Sequence, residues 1–145
     1  MTIELAPTLD KEIFIESLQA AFRRADGTNK FRDEDLPKIF AKTNATLLNI
    51  LADKKIVGGA ALIINGETQH NKLSLFFVDA DCRNLGVGAA AWSAIEKLYP
   101  ATKVWYTSTP FDKRNLNFYL NKCGFIAFSI YGKDDIYLAL EKVME

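Results

Sequence analysis

Three strand-like runs follow one another in the middle of the chain, and their spacing limits the folds that it can adopt. The runs cover residues 45–51, 56–64 and 72–78, and each is apolar and of strand length. Asp53-Lys54-Lys55 has the length of a hairpin turn, and Asn65-Gly66 is a strong turn signal. Consecutive strands joined by short turns pair antiparallel. The sequence therefore predicts a three-stranded antiparallel meander.

Helices and strands alternate after this meander. The predicted elements there are a helix over 86–99 that stops before Pro100, a strand over 103–108, a helix over 112–122, and strands over 125–131 and 136–140. Before the meander we expect a short strand over 2–6, an amphipathic helix, a polar loop over 23–33 and a short second helix over 35–42. This order predicts an α/β (α+β) fold. Its mixed, mostly antiparallel central sheet of six to seven strands carries helices on both faces.

The first helix has a clear apolar side. Thr8 is its predicted N-cap, because a threonine oxygen can accept a hydrogen bond from an amide in the first helical turn. The apolar residues that recur near the helical period, and that we expect to face the sheet, are Leu9, Ile13, Phe14, Leu18, Ala21 and Phe22.

The composition argues against several classes of protein. Eighteen Lys and Arg residues balance eighteen Asp and Glu residues in a chain of 145, so the positive excess that nucleic-acid binding needs is missing. No apolar run approaches the roughly 18 residues of a membrane-spanning helix. Cys82 and Cys123 do not resemble a disulfide framework, and the first residues contain no apolar signal segment. We expect one cytoplasmic domain over residues 1–145, without nucleic-acid, membrane or metal partners.

A glycine-bearing turn links the meander to an alanine-rich helix. Its sequence is Arg83-Asn84-Leu85-Gly86-Val87-Gly88. Glycines let the backbone approach a ligand, and the first amides of a helix lack internal partners and lie at the positive end of its dipole. Together they form an anion site that suits a phosphate or pyrophosphate, and Arg83 can add a charged donor. An ordinary strand-to-helix turn explains the glycine pair alone equally well.

The same glycines formally match a dinucleotide-binding fingerprint, Gly86-x-Gly88-x-x-Ala91. That motif should follow the first strand of a βαβ unit, and the next strand should end in an acid that holds the ribose. Here the motif follows a meander, and the next strand ends Thr107-Ser108-Thr109-Pro110 without an acid. The lysine of a Walker-type phosphate loop is also missing after the glycines. Both nucleotide interpretations are therefore disfavoured.

Two segments resemble the GNAT family of N-acetyltransferases. The motif A signature of that family is Arg or Gln, two residues, Gly, one residue, then Gly or Ala, and Arg83, Gly86 and Gly88 match it at every defined position. Asn84 stands where the family often has a further glycine. Residues 115–125 resemble the family's second signature, a helix with an aromatic pair that runs into a strand beginning Gly-Phe. The order of elements is also similar, so the resemblance covers most of the chain.

The resemblance implies that acetyl-CoA is the co-substrate. It would bind in a wedge-shaped gap between residues 76–78 and 106–108, with its pyrophosphate on the amides of 83–89 and its pantetheine along the strand edge. The backbone N–H of Val78 would stabilise the oxyanion when an amine attacks. The residues implied in cofactor binding are Phe77, Val78, Arg83, Asn84, Leu85, Gly86, Val87, Gly88, Ala89, Asn115 and Phe118.

Tyr119 is implied as the general acid that protonates the leaving thiolate. In the family this tyrosine usually lies four residues before the Gly of Gly-Phe, but Tyr119 lies five residues before Gly124. Either the helix absorbs the extra residue near 121–123 and Tyr119 faces the thiol, or Leu120 takes its place and Tyr119 points elsewhere. A tyrosine that merely packs beside Phe118 is the other interpretation. The family's asparagine seven residues before the tyrosine falls on Asp112.

The general base and the substrate are not predicted. The common glutamate is missing, because residues 72–78 contain no acid. Weaker candidates for the base are His70, Asp79, Asp81, Glu67 and Tyr106. The resemblance implies a primary amine of a small molecule or peptide, held by the first two helices, the loop 23–35 and the loop after Thr107.

Alternative interpretations remain at this stage. A non-catalytic acyl-CoA-binding module, acting as a sensor or partner-binding protein, would also lack a base and tolerate a shifted tyrosine. A purely structural domain would bind no acyl-CoA. The protein is either a monomer or a homodimer, in which the apolar strands 126–130 and 136–140 could pair across an interface.

Overall fold

The computed structural model describes residues 1–26, 45–82 and 85–145. Within them, seven strands form one sheet in the order β1-β2-β3-β4-β5-β7-β6. The strands are β1 Ile3–Pro7, β2 Ala45–Ala52, β3 Lys55–Ile63, β4 His70–Val78, β5 Val104–Pro110, β6 Ile126–Tyr131 and β7 Tyr137–Val143. The helices are α1 Lys11–Asp26, α2 Val87–Leu98 and α3 Lys113–Leu116, which continues as a π-helical segment, Asn117–Lys122. A 3₁₀ turn, Ala80–Cys82, follows β4.

The predicted fold is confirmed. The strands β2, β3 and β4 form the antiparallel meander, and β4 and β5 are the one parallel pair of neighbours among the described strands. Asp53 and Lys54 between β2 and β3 both have positive φ angles, 49° and 69°. A two-residue turn of this kind matches the twist of the strands that it joins.

The helix α1 packs on one face of the sheet through Phe14, Leu18 and Ala21, which are buried. These residues recur at helical spacing and contact a cluster that includes Leu75 and Phe77 of β4. The ring of Phe14 meets that of Phe77 edge-on, with centroids 5.6 Å apart.

Three expectations for α1 are wrong. The N-cap is Asp10 and not Thr8, because Asp10 Oδ1 accepts a hydrogen bond from the Ile13 amide at 3.1 Å. Leu9 is fully exposed because it precedes the helix, and Ile13 is 48 % exposed because it lies beside the buried stripe. The helix also extends to Asp26, into the predicted loop. The Phe22 side chain and the predicted second helix over 35–42 lie outside the part of the chain that is described.

The helix α2 packs on the opposite face and builds the larger core. Trp92 and Ile95 of α2 are buried against Trp105 of β5 and Leu140 of β7. The rings of Trp92 and Trp105 meet edge-on at 5.2 Å. Helices therefore cover both faces, as predicted, and the side chains of each strand alternate between the α1 side and the α2 side.

The last strand is longer than predicted. β7 extends to Val143 and pairs with the whole of β5, whereas the sequence indicated an end at Leu140. Lys142 pairs with Trp105 of β5, and its ammonium forms a 2.7 Å ion pair with Glu96 of α2. That contact joins residues distant in sequence, so the local pattern could not indicate it.

Candidate functional site

A wedge-shaped gap opens between the two parallel strands. β4 and β5 pair over three positions only, the last of which joins Lys72 to Tyr106. Just beyond this pair, Thr107 Oγ1 donates a hydrogen bond to the Leu73 carbonyl at 2.8 Å and closes the narrow end of the gap. The gap therefore lies between residues 73–78 and 107–110. It begins one residue later on β5 than the resemblance implied, because Tyr106 is still paired.

A bulge in β4 explains why the strands separate. Leu62 pairs with Leu73 and Ala61 with Leu75, so Ser74 has no partner on β3. One extra residue bends a strand and increases its local twist, which turns the end of β4 away from β5. The Ser74 hydroxyl oxygen is buried and has no hydrogen-bond partner among the described residues.

The main-chain groups of β4 alternate between β3 and the gap. The Asp79 amide donates to the Val57 carbonyl on β3 at 2.7 Å. Because the amides of successive strand residues point to opposite edges, those of Phe76 and Val78 are directed toward the gap. This is the orientation that the implied oxyanion donor, Val78, requires. The Phe77 side chain is buried on the α1 side, so its main chain is the part that lies near the gap.

The helix α2 begins at the wide end of this gap. Gly86 is its N-cap residue, with φ 79° and ψ 6°, a left-handed conformation that glycine adopts without strain. The Gly86 carbonyl accepts a hydrogen bond from the Ala90 amide at 3.1 Å. The amides of Val87, Gly88 and Ala89 therefore precede the helical ladder and form its positive end. The Leu85 side chain beside them is 61 % exposed. Arg83 and Asn84 lie outside the described residues.

Phe118 forms a wall between α2 and β4. Its ring stacks on that of Phe76, with centroids 5.6 Å apart and planes 26° apart. A β-carbon on Gly88 would lie 2.8 Å from the Phe118 ring. Gly88 is therefore needed because a larger residue would clash with the Phe118 ring. From the sequence alone, this packing role could not be distinguished from close approach of the backbone to a ligand. Asn115, half-buried in α3, donates its amide to Asp112 Oδ1 at 3.3 Å.

The π-helical segment absorbs the extra residue before Gly124. The Cys123 amide donates to the Phe118 carbonyl, five residues earlier, at 3.0 Å. The insertion is spread over Asn117–Lys122, so it includes Tyr119 rather than following it. Such segments often occur at functional sites.

Tyr119 is partly buried and packs against the larger core beside the gap. Its ring contacts Phe118 at 5.1 Å and Phe125 at 5.8 Å, both edge-on. Phe118, and not Tyr119, is the ring of this segment that stacks on β4. Burial raises the pKa of the Tyr119 phenol above its ordinary value, and the neighbouring Cys123 adds to this. Burial also raises the pKa of the Cys123 thiol to about 12. Both groups are therefore protonated near neutral pH.

Most of the weaker candidates for the base lie away from the narrow end of the gap. Glu67 is exposed in the turn before β4, and Asp79 and Asp81 follow the other end of that strand. His70 is exposed, with its ring 6.0 Å from that of Tyr106.

Glu141 was not predicted to be a strand residue. It pairs with Tyr106 across β5 and β7 and is partly buried. The alternation of Leu138, Ala139, Leu140 and Glu141 could have shown it to be a strand residue, but the strand was predicted to end one residue earlier.

Two kinds of feature are absent from the part of the chain that is described. No helix there is long and apolar enough to cross a membrane. No group of three or more His, Cys, Asp or Glu side chains lies where it could hold a metal ion.

Comparison with known proteins agrees with this geometry. Residues 11–125 match the acetyltransferase (GNAT) family. The chain is 43% identical over 141 residues to the uncharacterized protein YrkN of Bacillus subtilis (strain 168), a match that covers 90% of this chain and 76% of YrkN.

Solved structures share the fold at low identity. The PaiA N-acetyltransferase of Thermoplasma acidophilum, in complex with coenzyme A, is 15% identical, with a TM-score of 0.75 over 99% of this chain and 100% of that one. A GNAT family acetyltransferase from Elizabethkingia anophelis with acetyl-CoA bound is 14% identical, with a TM-score of 0.70 over 98% of both chains. Because the family match covers most of the sequence and the fold agrees, this chain belongs to the GNAT family of acetyltransferases.

Proposed function

We propose that this protein is a cytoplasmic, acetyl-CoA-dependent N-acetyltransferase that acts as one domain and acetylates a primary amine of a small molecule or peptide. The observation that carries the proposal is the gap between β4 and β5, which opens toward the first turn of α2. An edge of main-chain groups next to a positive helix end suits a ligand with an extended amide-containing arm and a pyrophosphate.

Acetyl-CoA would bind along this path. Its pyrophosphate would accept hydrogen bonds from the amides of Val87, Gly88 and Ala89, with Leu85, Gly86, Arg83 and Asn84 at the same turn. Its pantetheine arm would pair with the main chain of β4 near Phe77, while Phe118 and Asn115 would border the site. The fit is supported by the open space at Gly86, where a β-carbon would meet nothing within 4 Å.

The chemistry would be a direct transfer. The neutral amine nitrogen forms a bond to the acetyl carbon and gives up a proton to water, the carbon–sulfur bond breaks, and the thiolate leaves and takes a proton. The gap-facing amide of Val78 would stabilise the negative charge on the carbonyl oxygen. Tyr119 would supply the proton to the thiolate, the role that the resemblance implies. Burial raises the pKa of its phenol, which keeps it protonated but makes it a weaker proton donor. Positioning the two substrates would provide much of the remaining rate.

Thermal unfolding with acetyl-CoA tests the binding step. Acetyl-CoA at a hundred times its dissociation constant should stabilise the protein by about 2.7 kcal/mol. Gly86→Val should remove this stabilisation, because a β-branched residue avoids the positive φ of 79°. Gly66→Val is the matched control, since Gly66 lies in an exposed turn with open space around it. Stabilisation that survives unchanged in Gly86→Val would show that the pyrophosphate lies elsewhere.

Release of free thiol from acetyl-CoA, measured against a panel of amines, tests the transfer. Turnover with a primary amine is expected, and the acetylated product should appear in equal amount. The second candidate is a non-catalytic acyl-CoA-binding module that acts as a sensor or binds a partner. It is favoured by the lack of a carboxylate on β4 and by the packing of the Tyr119 ring against Phe125. Stabilisation by acetyl-CoA without thiol release from any amine would select that module.

We also propose that the protein acts without nucleic-acid, membrane or metal partners, as a monomer or a homodimer. Size-exclusion chromatography with light scattering would decide the oligomeric state. The candidate interface is the edge strand β6, all of whose residues are exposed.

A further inference from the structure

A cavity of about 260 Å³ lies on the α1 side of the sheet, between α1, the start of β3 and the end of β4. Gly58 and Phe77 line it from the sheet, and Ser17 and Ala20 line it from the helix. At about 30 Å³ for each water molecule of the liquid, this space corresponds to roughly eight or nine waters. The cavity therefore suits a small molecule with a similar number of non-hydrogen atoms.

Small side chains keep this space open. Nearer the start of α1, the buried side chains of Phe14 and Leu18 fill the layer between the helix and the sheet. Further along the helix, Ala20 and Ala21 face the cavity, and the residue of β3 beneath them is Gly58. The cavity is therefore a consequence of three small residues at one place.

The cavity lies next to Val78, whose amide is the proposed oxyanion donor. The residues on either side of Val78, Phe77 and Asp79, both line the cavity. Because strand residues alternate between faces, these two side chains share the α1 side, while the Val78 amide is directed toward the gap. A molecule in the cavity has to cross only β4, roughly one strand spacing of 4.8 Å, to reach the gap at the level of Val78.

The α1 face of β5, across the gap, is also accessible. Trp105 is buried on the α2 side, so Ser108 and Pro110 point to the α1 side by alternation. Both of these residues are exposed. An acceptor that extends from the cavity toward the gap therefore approaches the acetyl group from the α1 side.

The charged groups that line the cavity are carboxylates. They belong to Glu16 of α1 and to Asp79, and no basic side chain lines the cavity among the described residues. Glu16 is exposed, and Asp79 Oδ1 accepts a hydrogen bond from the Asp81 amide at 3.2 Å. Two negative groups at one small cavity favour a ligand that carries positive charge.

The reaction determines how many charges such an acceptor needs. An amine with a single nitrogen binds as an ammonium ion, but it has to lose that charge before it attacks the acetyl carbon. Its attraction to the carboxylates is then lost as well. A second ammonium group elsewhere in the molecule keeps its charge and its contact with a carboxylate throughout the reaction.

We propose that this cavity binds the acceptor, and that the acceptor is a small aliphatic diamine. Glu16 holds the ammonium group that stays charged, and the other nitrogen lies on the Asp79 side, where it reaches the gap as the neutral amine. The methylene groups between the two nitrogens pack against Phe77 and Ala20. The inference rests on the proposed function for the location of the acetyl group, but the binding that it describes can be measured by itself.

Titration of amines into the protein without coenzyme A, followed by amide NMR spectra, tests this assignment. The probes are 1,4-diaminobutane and 1-aminobutane, which share the same carbon chain and differ by one ammonium group. In roughly 0.02 M salt, 1,4-diaminobutane should bind at least about fivefold more tightly, because it forms a second ion pair. It should shift the amide signals of Gly58 and Ala20, and its advantage should shrink as salt is added.

Two pairs of variants make the titration specific. Glu16→Gln should remove most of the preference for the diamine, whereas Glu12→Gln, one turn earlier on α1 and outside the cavity, should keep it. Ala20→Leu fills the cavity and should abolish the binding of both amines. Its matched control is Ala94→Leu, at a half-buried alanine of α2, which should leave both affinities unchanged. The unfolding temperature of each variant, measured alongside, separates a loss of binding from a loss of structure.

The outcomes distinguish this inference from the proposed function. Equal affinity for the two amines, no detectable binding of the diamine, or unchanged binding in Glu16→Gln or Ala20→Leu would overturn the diamine assignment. Diamine binding that Ala20→Leu abolishes, without thiol release from acetyl-CoA, would support the cavity as a diamine site and refute the N-acetyltransferase. Thiol release with amines whose KM does not change in Ala20→Leu would do the reverse.

Discussion

Gly88→Ala should destabilise the protein by pushing Phe118 away from Phe76. The new β-carbon would lie 2.8 Å from Phe118 Cε1 and 3.2 Å from Cζ, so the ring must retreat by about 0.6 Å to reach ordinary contact. Overpacking of this kind costs about 1–3 kcal/mol, and alanine recovers about 0.5–1 kcal/mol through its better helix propensity. We expect a net loss of about 1–2 kcal/mol in the free energy of unfolding, and a drop of roughly 3–8 °C in the unfolding temperature.

A double-mutant cycle with Phe118→Ala isolates the cause. Without the ring, Gly88→Ala should cost nothing, or should stabilise the helix by up to about 1 kcal/mol. The coupling energy between the two positions should therefore be about 1–3 kcal/mol, well above the roughly 0.5 kcal/mol expected of independent sites. Urea denaturation of the four proteins measures it. If Gly88→Ala costs the same in both backgrounds, the ring is not the reason for the glycine.

Three other changes test separate parts of the fold. Thr107→Val removes the hydrogen bond to the Leu73 carbonyl at the narrow end of the gap; urea denaturation should show a loss of about 1–2 kcal/mol, and an unchanged midpoint would mean that this bond does not hold the strands together. Asp112→Ala removes the side chain that accepts from the Arg114 amide at 2.9 Å; thermal unfolding should reveal a loss of about 1 kcal/mol, while Asp112→Asn should retain most of the stability. The Cys123 thiol has a pKa raised from 9.0 to about 12, so folding holds its proton more tightly. The associated stability should be intact below pH 9 and be lost as the pH rises toward 12, at up to about 1.4 kcal/mol per pH unit. Cys123→Ala should flatten that decline, and equal slopes in the two proteins would contradict it.

Local patterns were sufficient for the order of the elements. Apolar runs of strand length and the Asn65-Gly66 turn indicated the meander, and the glycines before an alanine-rich helix indicated the start of α2. These features depend on residues within a few positions of one another. The fold and the family resemblance therefore followed from the sequence, and both are confirmed.

The remaining features depend on contacts between distant residues. The bulge at Ser74 depends on how β4 pairs with β3. No residue type within 72–78 indicates which residue is left unpaired. β7 continues to Val143 because it pairs with the whole of β5, and the local pattern, which lacks that contact, predicted an end at Leu140. Position 88 needs a glycine because of the Phe118 ring, which lies thirty residues later in the chain. The residue roles assigned to Tyr119, Val78 and the glycine turn stay predictions.

The π-helical segment has a practical consequence for aligning relatives of this protein. One additional residue within the helix shifts the numbering of all the residues that follow it. Residues before the π-helical segment align with relatives by counting forward from Asp112, and residues after it align by counting back from Gly124. An alignment without a gap would match either Phe118 and Tyr119 or the Gly-Phe step correctly, but not both. The gap belongs within Asn117–Lys122, and relatives that lack the additional residue should show an unbroken α-helix there.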